Sequence, residues 1–249
     1  MPTKISNNNK MTLHNQILEA LQFLSSPEKK EFLPYFFKTG KGQYAEGDKF
    51  IGVVVPDSRK LVKEYWQKAE LSDVQEILKS EFHEMRLVAL LILVNKFEKS
   101  KDKTVQKKLV DFYLKNTKYI NNWDLVDLSC YKLLGRYCFE NQKDDILREL
   151  SNSDNMWEKR IAIVATMHHI KKGKFFDLTQ ELALNNLQHP HDLMHKANGW
   201  LLREIGNKDE EVLLDFLKIH YQNMPRTTLR YAIEKLDEDL RQDFLKGRI

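Results

Sequence analysis

The chain has 249 residues, 42% hydrophobic and 31% charged, with nine glycines, six prolines and two cysteines. That balance suits one large or two small folded domains with a sizeable core, and the scarcity of Gly and Pro disfavours disordered and sheet-rich chains alike. A net charge of +4 permits a polyanionic partner without specifying one, and no apolar run approaches the ~18 residues of a membrane span.

Residues 1–10 are polar, lack the apolar stretch of a secretory signal and read as a flexible tail. Cys130 and Cys138 give no disulfide framework, so a reducing cytoplasm is the expected setting. Apolar residues then recur at helical spacing through "MTLHNQILEALQFL", "RKLVKEYWQKA", "VQEILKS", "EMRLVALLILVNKF", "QKKLVDFYLK" and "LVDLSCYKLLGRYCF". Ser25 lies three residues before Glu28 and Ser72 three before Gln75, the spacing of capping boxes at helix starts. About a dozen helices are expected.

One segment breaks this pattern. "FKTGKGQYAEGDKFIGVVVPDSRK" carries Gly40, Gly42, Gly47 and Gly52 and ends in a β-branched run at Pro56. It reads either as an ordered loop re-entering a helix near Pro56 or as a plain connector. No Gly-Lys-Ser/Thr closes it, so it is not a phosphate-binding loop.

Five helices open alike, at His83, Trp123, Trp157, Met194 and Thr227, with starts separated by 33 to 40 residues. That period fits stacked helical pairs of HEAT or armadillo type. The expected architecture is therefore all-α: one domain over residues 1–249, a curved α-solenoid of about six HEAT-like pairs with a concave groove. The equivalent helices carry Arg86, Asp127, Arg160 and Arg230 in their first turns, and polar groups recurring at one place in such a stack line a groove.

Trp123 and Asp127 are four apart and share a helix face, while Trp157 and Arg160 are three apart on the next equivalent helix. Stacking should bring Asp127, Arg160 and two or more indoles, Trp200 among them, into one cleft. Indole faces attract cations and stack on bases. A carboxylate stabilises an oxocarbenium-like centre and positions water, and Arg grips a phosphate. Together these groups suit a cationic nucleobase on a phosphodiester backbone. The alternative is structural: Asp127 pairs with Arg160 and the indoles fill core.

With these stretches in view, the chain resembles the AlkD-like DNA alkylation repair family, DNA glycosylases built of HEAT-like repeats. The resemblance rests on "YFFKTGKGQYAEGDKFIGVVVPDSRKL", "EMRLVALLIL", "NNWDLVDLS", "WEKRIAIVAT" and "HKANGWLLREIG", in the family's order over roughly residues 12 to 240. It implies hydrolysis of the N-glycosidic bond of positively charged N3- and N7-alkylated purines in duplex DNA, without a deep base-flipping pocket. It matches Asp127 to the catalytic carboxylate, Trp123 and Trp200 to the active-site indoles and Arg160 to a phosphate contact. It also implies duplex DNA held in the concave face. Lys41 and Ala45 depart from the commoner form of the glycine-rich loop.

Lys38, Lys41, Arg59, Lys63, Arg86 and Arg230 are the candidate phosphate contacts, each alternatively a solvated surface charge. The basic run "EKSKDKTVQKKLVDFYLKNTK" and the acidic C-terminal runs place a polyanion away from the C-terminal surface. His191 and His195 have helical metal spacing but lack a third ligand, so no metal or cofactor is expected. Cys130 reads as packing. A monomeric repair enzyme on duplex DNA is the first expectation, and a non-catalytic HEAT scaffold binding DNA or protein is the second. The discriminating feature is Asp127: open and unpaired in an enzyme, closed in a salt bridge in a scaffold.

Overall fold

The computed structural model describes residues 11–249, so the tail expected over residues 1–10 lies outside the described residues. Among the described residues there are sixteen α-helices, and the sole β feature is an isolated bridge between Lys49 and Phe82. Contacts group the described residues into two compact units that divide between Lys96 and Phe97.

The first unit contains α1 (Leu13–Phe23), α2 (Pro27–Phe36), α3 (Val55–Tyr65), α4 (Leu71–Leu78) and most of α5 (His83–Lys99). Two start signals sit elsewhere than expected. Ser26, not Ser25, caps α2, because Pro27 occupies the first helical position and Ser25 Oγ donates instead to the Ile51 carbonyl at 2.5 Å. Glu70, not Ser72, caps α4, its N–H donating to Asp73 at 2.8 Å.

The glycine-rich segment is an ordered loop rather than a plain connector. Buried Glu84 accepts the backbone N–H groups of Ile51, Gly52 and Val53 at 3.0, 2.8 and 3.2 Å. Three donors on one carboxylate satisfy a loop that has no ladder of its own. The rings of Phe37 and Phe50 stack 5.0 Å apart, and Phe50 lies 4.7 Å from the His83 ring. Pro56 then opens α3, as its position suggests.

Arg86 corrects an expectation. It is buried, Nη2 lies 2.8 Å from Asp48 Oδ1, and Nη1 donates to the Ser80 carbonyl at 3.2 Å. Asp48 is held below its usual range by His83 and Arg86 despite opposing burial. Arg86 therefore ties the loop to α5 and does not present a surface for phosphate.

The second unit contains α6 (Lys103–Lys115), α7 (Trp123–Cys130), a π turn over Tyr131–Gly135, α8 (Arg136–Asn141), α9 (Asp145–Ser151), α10 (Met156–Ala165) and α11 (Met167–Lys171). It continues through α12 (Phe176–Asn185), α13 (Asp192–Gly206), α14 (Glu210–His220), α15 (Arg226–Ala232) and α16 (Glu238–Lys246). Four helices that open alike in sequence pack in series here: α7 on α10, α10 on α13, and α13 on α15. Helices α9 and α12 pack on each other and on α10. A Cβ at Gly199 would come within 2.5 Å of the Thr228 carbonyl oxygen, so this glycine sets how closely α13 and α15 approach.

Gly52 has φ +99°, and a Cβ there would lie 2.7 Å from backbone atoms of Lys30 and Ser26. Gly52→Ala combines left-handed strain with a backbone clash and is expected to lower unfolding stability by about 2 kcal/mol or more, read by denaturant titration. An unchanged midpoint contradicts the loop's role as a fixed element.

Candidate active site

Helix α7 begins where its sequence directs. The buried Asn122 side chain accepts the Trp123 N–H at 2.8 Å, which fixes the first turn and so the face on which Trp123 and Asp127 emerge. Leu125 and Val126 are buried at the intervening positions. Asp124 is buried as well, its Oδ1 accepting the Leu125 N–H at 2.8 Å, so it serves the helix start. Cys130 is completely buried, and burial pushes its thiol well above the usual range, which fits packing rather than nucleophilic chemistry.

Asp127 and Arg160 meet, as stacking of the repeats predicts. The pair is bidentate: Arg160 Nη2 donates to Oδ2 at 2.8 Å and Nε to Oδ1 at 3.1 Å. The third edge of the guanidinium, Nη1, donates to the Leu193 carbonyl in the first turn of α13 at 2.5 Å. One side chain thus joins α7, α10 and α13. Its own exposure is 6%, against 17% for the Asp127 side chain, so the carboxylate is the solvent-facing member.

Of the two arrangements the sequence leaves open for Asp127, the structure has the paired one. The pairing leaves chemistry available, because each carboxylate oxygen has two acceptor sites and Arg160 occupies one on each. Burial raises the Asp127 pKa above its usual range, Arg160 opposes that rise, and Asp124 reinforces it. Desolvation thus outweighs the attraction of the partner, and the carboxylate sits where a nearby cation is poorly screened.

The indoles differ in setting. Trp157 is buried and joins the core, whereas Trp123 and Trp200 are half-buried. Trp200 lies on α13, the helix that Arg160 grips through Leu193, and its Nε1 donates to Glu204 at 3.2 Å. Glu204 is a partner that sequence reasoning missed, although its spacing of four residues is a readable signal. The Leu193 carbonyl was not legible, since a backbone acceptor leaves no trace in residue identity.

The remaining candidates are dispersed. Lys38, Lys41 and Lys63 are exposed and Arg59 is half-buried in the first unit, and Arg230 is exposed on α15. Lys38 Nζ stands 4.7 Å from the Tyr35 ring centre. The histidines at the start of α13 are engaged locally: His191 Nδ1 accepts the Leu193 N–H at 3.1 Å, and His195 Nε2 lies 2.6 Å from the His189 carbonyl. Among the described residues no group of three or more His, Cys, Asp or Glu side chains could hold a metal ion. No helix of the described residues is long and apolar enough to cross a membrane.

The model of one protein family, described as "DNA alkylation repair enzyme", matches residues 17–236. The chain belongs to this AlkD-like family. A search of curated proteins found no match. Among solved structures, the chain is similar to one described as "Predicted DNA alkylation repair enzyme from Enterococcus faecalis". The TM-score is 0.68 at 18% identity, covering 88% of this chain and 99% of that one, so the likeness shows a shared fold. Family membership makes this chain one of the DNA alkylation repair enzymes and implies DNA as the substrate.

The raised Asp127 pKa has a stability consequence of definite sign. A carboxyl that holds its proton more tightly when folded contributes stability at low pH, which is lost as pH rises through the folded value. The unfolding free energy of the protein relative to Asp127→Asn should therefore fall as pH rises from the ordinary value of 3.8 upward. Denaturation of both proteins across the acidic range measures this; a difference that grows with pH contradicts the assignment.

Proposed function

We propose that the protein is a DNA glycosylase that hydrolyses the N-glycosidic bond of cationic N3- and N7-alkylated purines in duplex DNA. The observation that carries the reading is the desolvated, half-buried Asp127 on the same helix face as Trp123 in a chain of this family. A positively charged purine is already a good leaving group, so the protein's main task is to stabilise the sugar cation and deliver water. Asp127 faces the developing oxocarbenium and places the water, while Trp123 and Trp200 pack against the deoxyribose. The reading includes HEAT-like helical pairs, duplex DNA as the partner, a monomeric state, a cytoplasmic location, and no metal or cofactor.

Arg160 has two parts in this scheme. Before DNA binds, it fixes the Asp127 rotamer through two parallel hydrogen bonds. A backbone phosphate that competes for the guanidinium exchanges one of these bonds and strengthens the field of the carboxylate at the sugar. Lys38, Lys41, Arg59, Lys63 and Arg230 supply further phosphate contacts in the proposal; Arg86 does not.

A second reading, a non-catalytic scaffold binding DNA or protein, is favoured by one observation, the closed Asp127–Arg160 pair. Release of 7-methylguanine from alkylated duplex separates the two. The wild-type protein should liberate the base, and Asp127→Asn should slow release by ~10²-fold or more while still binding duplex. Base release by Asp127→Asn at the wild-type rate overturns the assignment of Asp127. No release by either protein, with duplex binding intact, establishes the scaffold.

A further inference from the structure

A cavity of about 340 Å³ in the second unit lies outside the Asp127 site. Its walls come from the end of α5, the π turn after α7, α8, and α11 with the residue that follows it. Tyr131, Lys132 and Arg136 line one side, and His168, Lys171 and Lys172 line the other. Tyr131 follows Asp127 by four residues, about one helical turn along.

Charge in the cavity is unbalanced. Two carboxylates, Glu98 and Glu140, face four permanent cations. Glu140 is already neutralised by Arg136 at 2.6 Å and by Lys103 at 2.9 Å, and these partners hold its pKa below the usual range. Lys132, Lys171 and Lys172 are therefore the cations left to be matched against Glu98 alone.

The ammonium groups are also arranged. Lys171 Nζ stands 4.4 Å from the centre of the Tyr131 ring, and Lys132 Nζ stands 5.8 Å from it. Contact with the ring restrains both side chains and lowers the entropy lost when they meet an anion. It is also a poor platform for a nucleobase. His168 Nε2 is buried and without a hydrogen-bond partner, and burial with nearby Lys172 pushes the imidazole down to about 4, so the ring enters as a neutral donor or acceptor.

We propose that this cavity is a phosphodiester site that holds one backbone phosphate of the bound duplex, through Lys132, Lys171 and Lys172, at a distance from the reacting nucleotide. The inference rests on the reading of the chain as a DNA-binding repair enzyme, but not on the identity of its reaction. A diester carries one negative charge and offers oxygens without requiring base recognition, which is what three ammoniums lining one cavity, two of them beside an aromatic ring, can match. Free phosphate shares the chemistry, and the test separates the two sources.

The measurement is the affinity of the full chain for an unmodified duplex as a function of salt. Neutralising one phosphate contributes about 0.9 to the slope of log affinity against log salt, so Lys171→Ala/Lys172→Ala should lower the slope by about 1 and weaken binding several-fold at low salt. Lys218→Ala/Lys235→Ala removes the same charge from α14 and the stretch after α15 and should leave the slope unchanged. Equal slopes for the two double variants overturn the proposal. So does inorganic phosphate binding to the cavity, seen as NMR shifts lost in the Lys171→Ala/Lys172→Ala variant, with no change in the DNA slope. Because the duplex is undamaged, a protein that releases no base still yields a readable slope, and the failure of either reading is distinguishable from the other.

Discussion

An ion pair withdrawn from water is retained only where its geometry is good and its remaining hydrogen-bonding groups are satisfied. The Asp127–Arg160 pair meets that condition through the Leu193 carbonyl, and the second unit is organised around it. Helix α10 carries the guanidinium, and α7 and α13 each contribute an acceptor to it, the Asp127 carboxylate and the Leu193 carbonyl. Loss of any one leaves a buried charge or acceptor unmatched, so the three helices are held at a common level. The half-buried indoles of Trp123 and Trp200 ride on two of these helices, and their placement follows from the same bonds.

The first unit solves a different problem with similar means. A glycine-rich loop without regular structure needs its backbone N–H groups satisfied, and Glu84 from the start of α5 accepts three of them. Arg86, two residues later, engages Asp48, just before the stretch that Glu84 holds. Both charged residues are spent on architecture. In the second unit the corresponding helix starts carry Asp127 and Arg160, where burial is incomplete for the carboxylate. The same position in successive helices thus serves packing in one place and is open to chemistry in another.

Much of this was legible in the sequence. The spacing of the five similar helix starts placed Asp127 against Arg160, because helical periodicity and a repeat length fix which first turns face each other. Pro56 at the head of α3 was readable from local chemistry. Other features depend on contacts that no local pattern encodes. Arg86 looked like its exposed counterparts until Asp48, far along the chain, was brought beside it. Ser25 and Ser72 have correct capping spacing, but Pro27 and the Glu70–Asp73 pair shift the helix starts by a residue or two. The basic cavity joins residues more than thirty positions apart, and its cations look in sequence like ordinary surface lysines.

The π turn at Tyr131–Gly135 has a consequence for how α7 and α8 relate. A π turn accommodates one residue more than an α turn, which offsets the two helices by about 100° of rotation relative to an unbroken helix. A helical wheel drawn straight through residues 123 to 141 therefore misassigns one half or the other. The face bearing Trp123 and Asp127 can remain turned outward while Leu133, Leu134 and Cys138 remain inward, a combination whose phase is set by that single extra residue. Chain length at this turn, rather than any side chain in it, acts as the dial that sets the heading of the carboxylate.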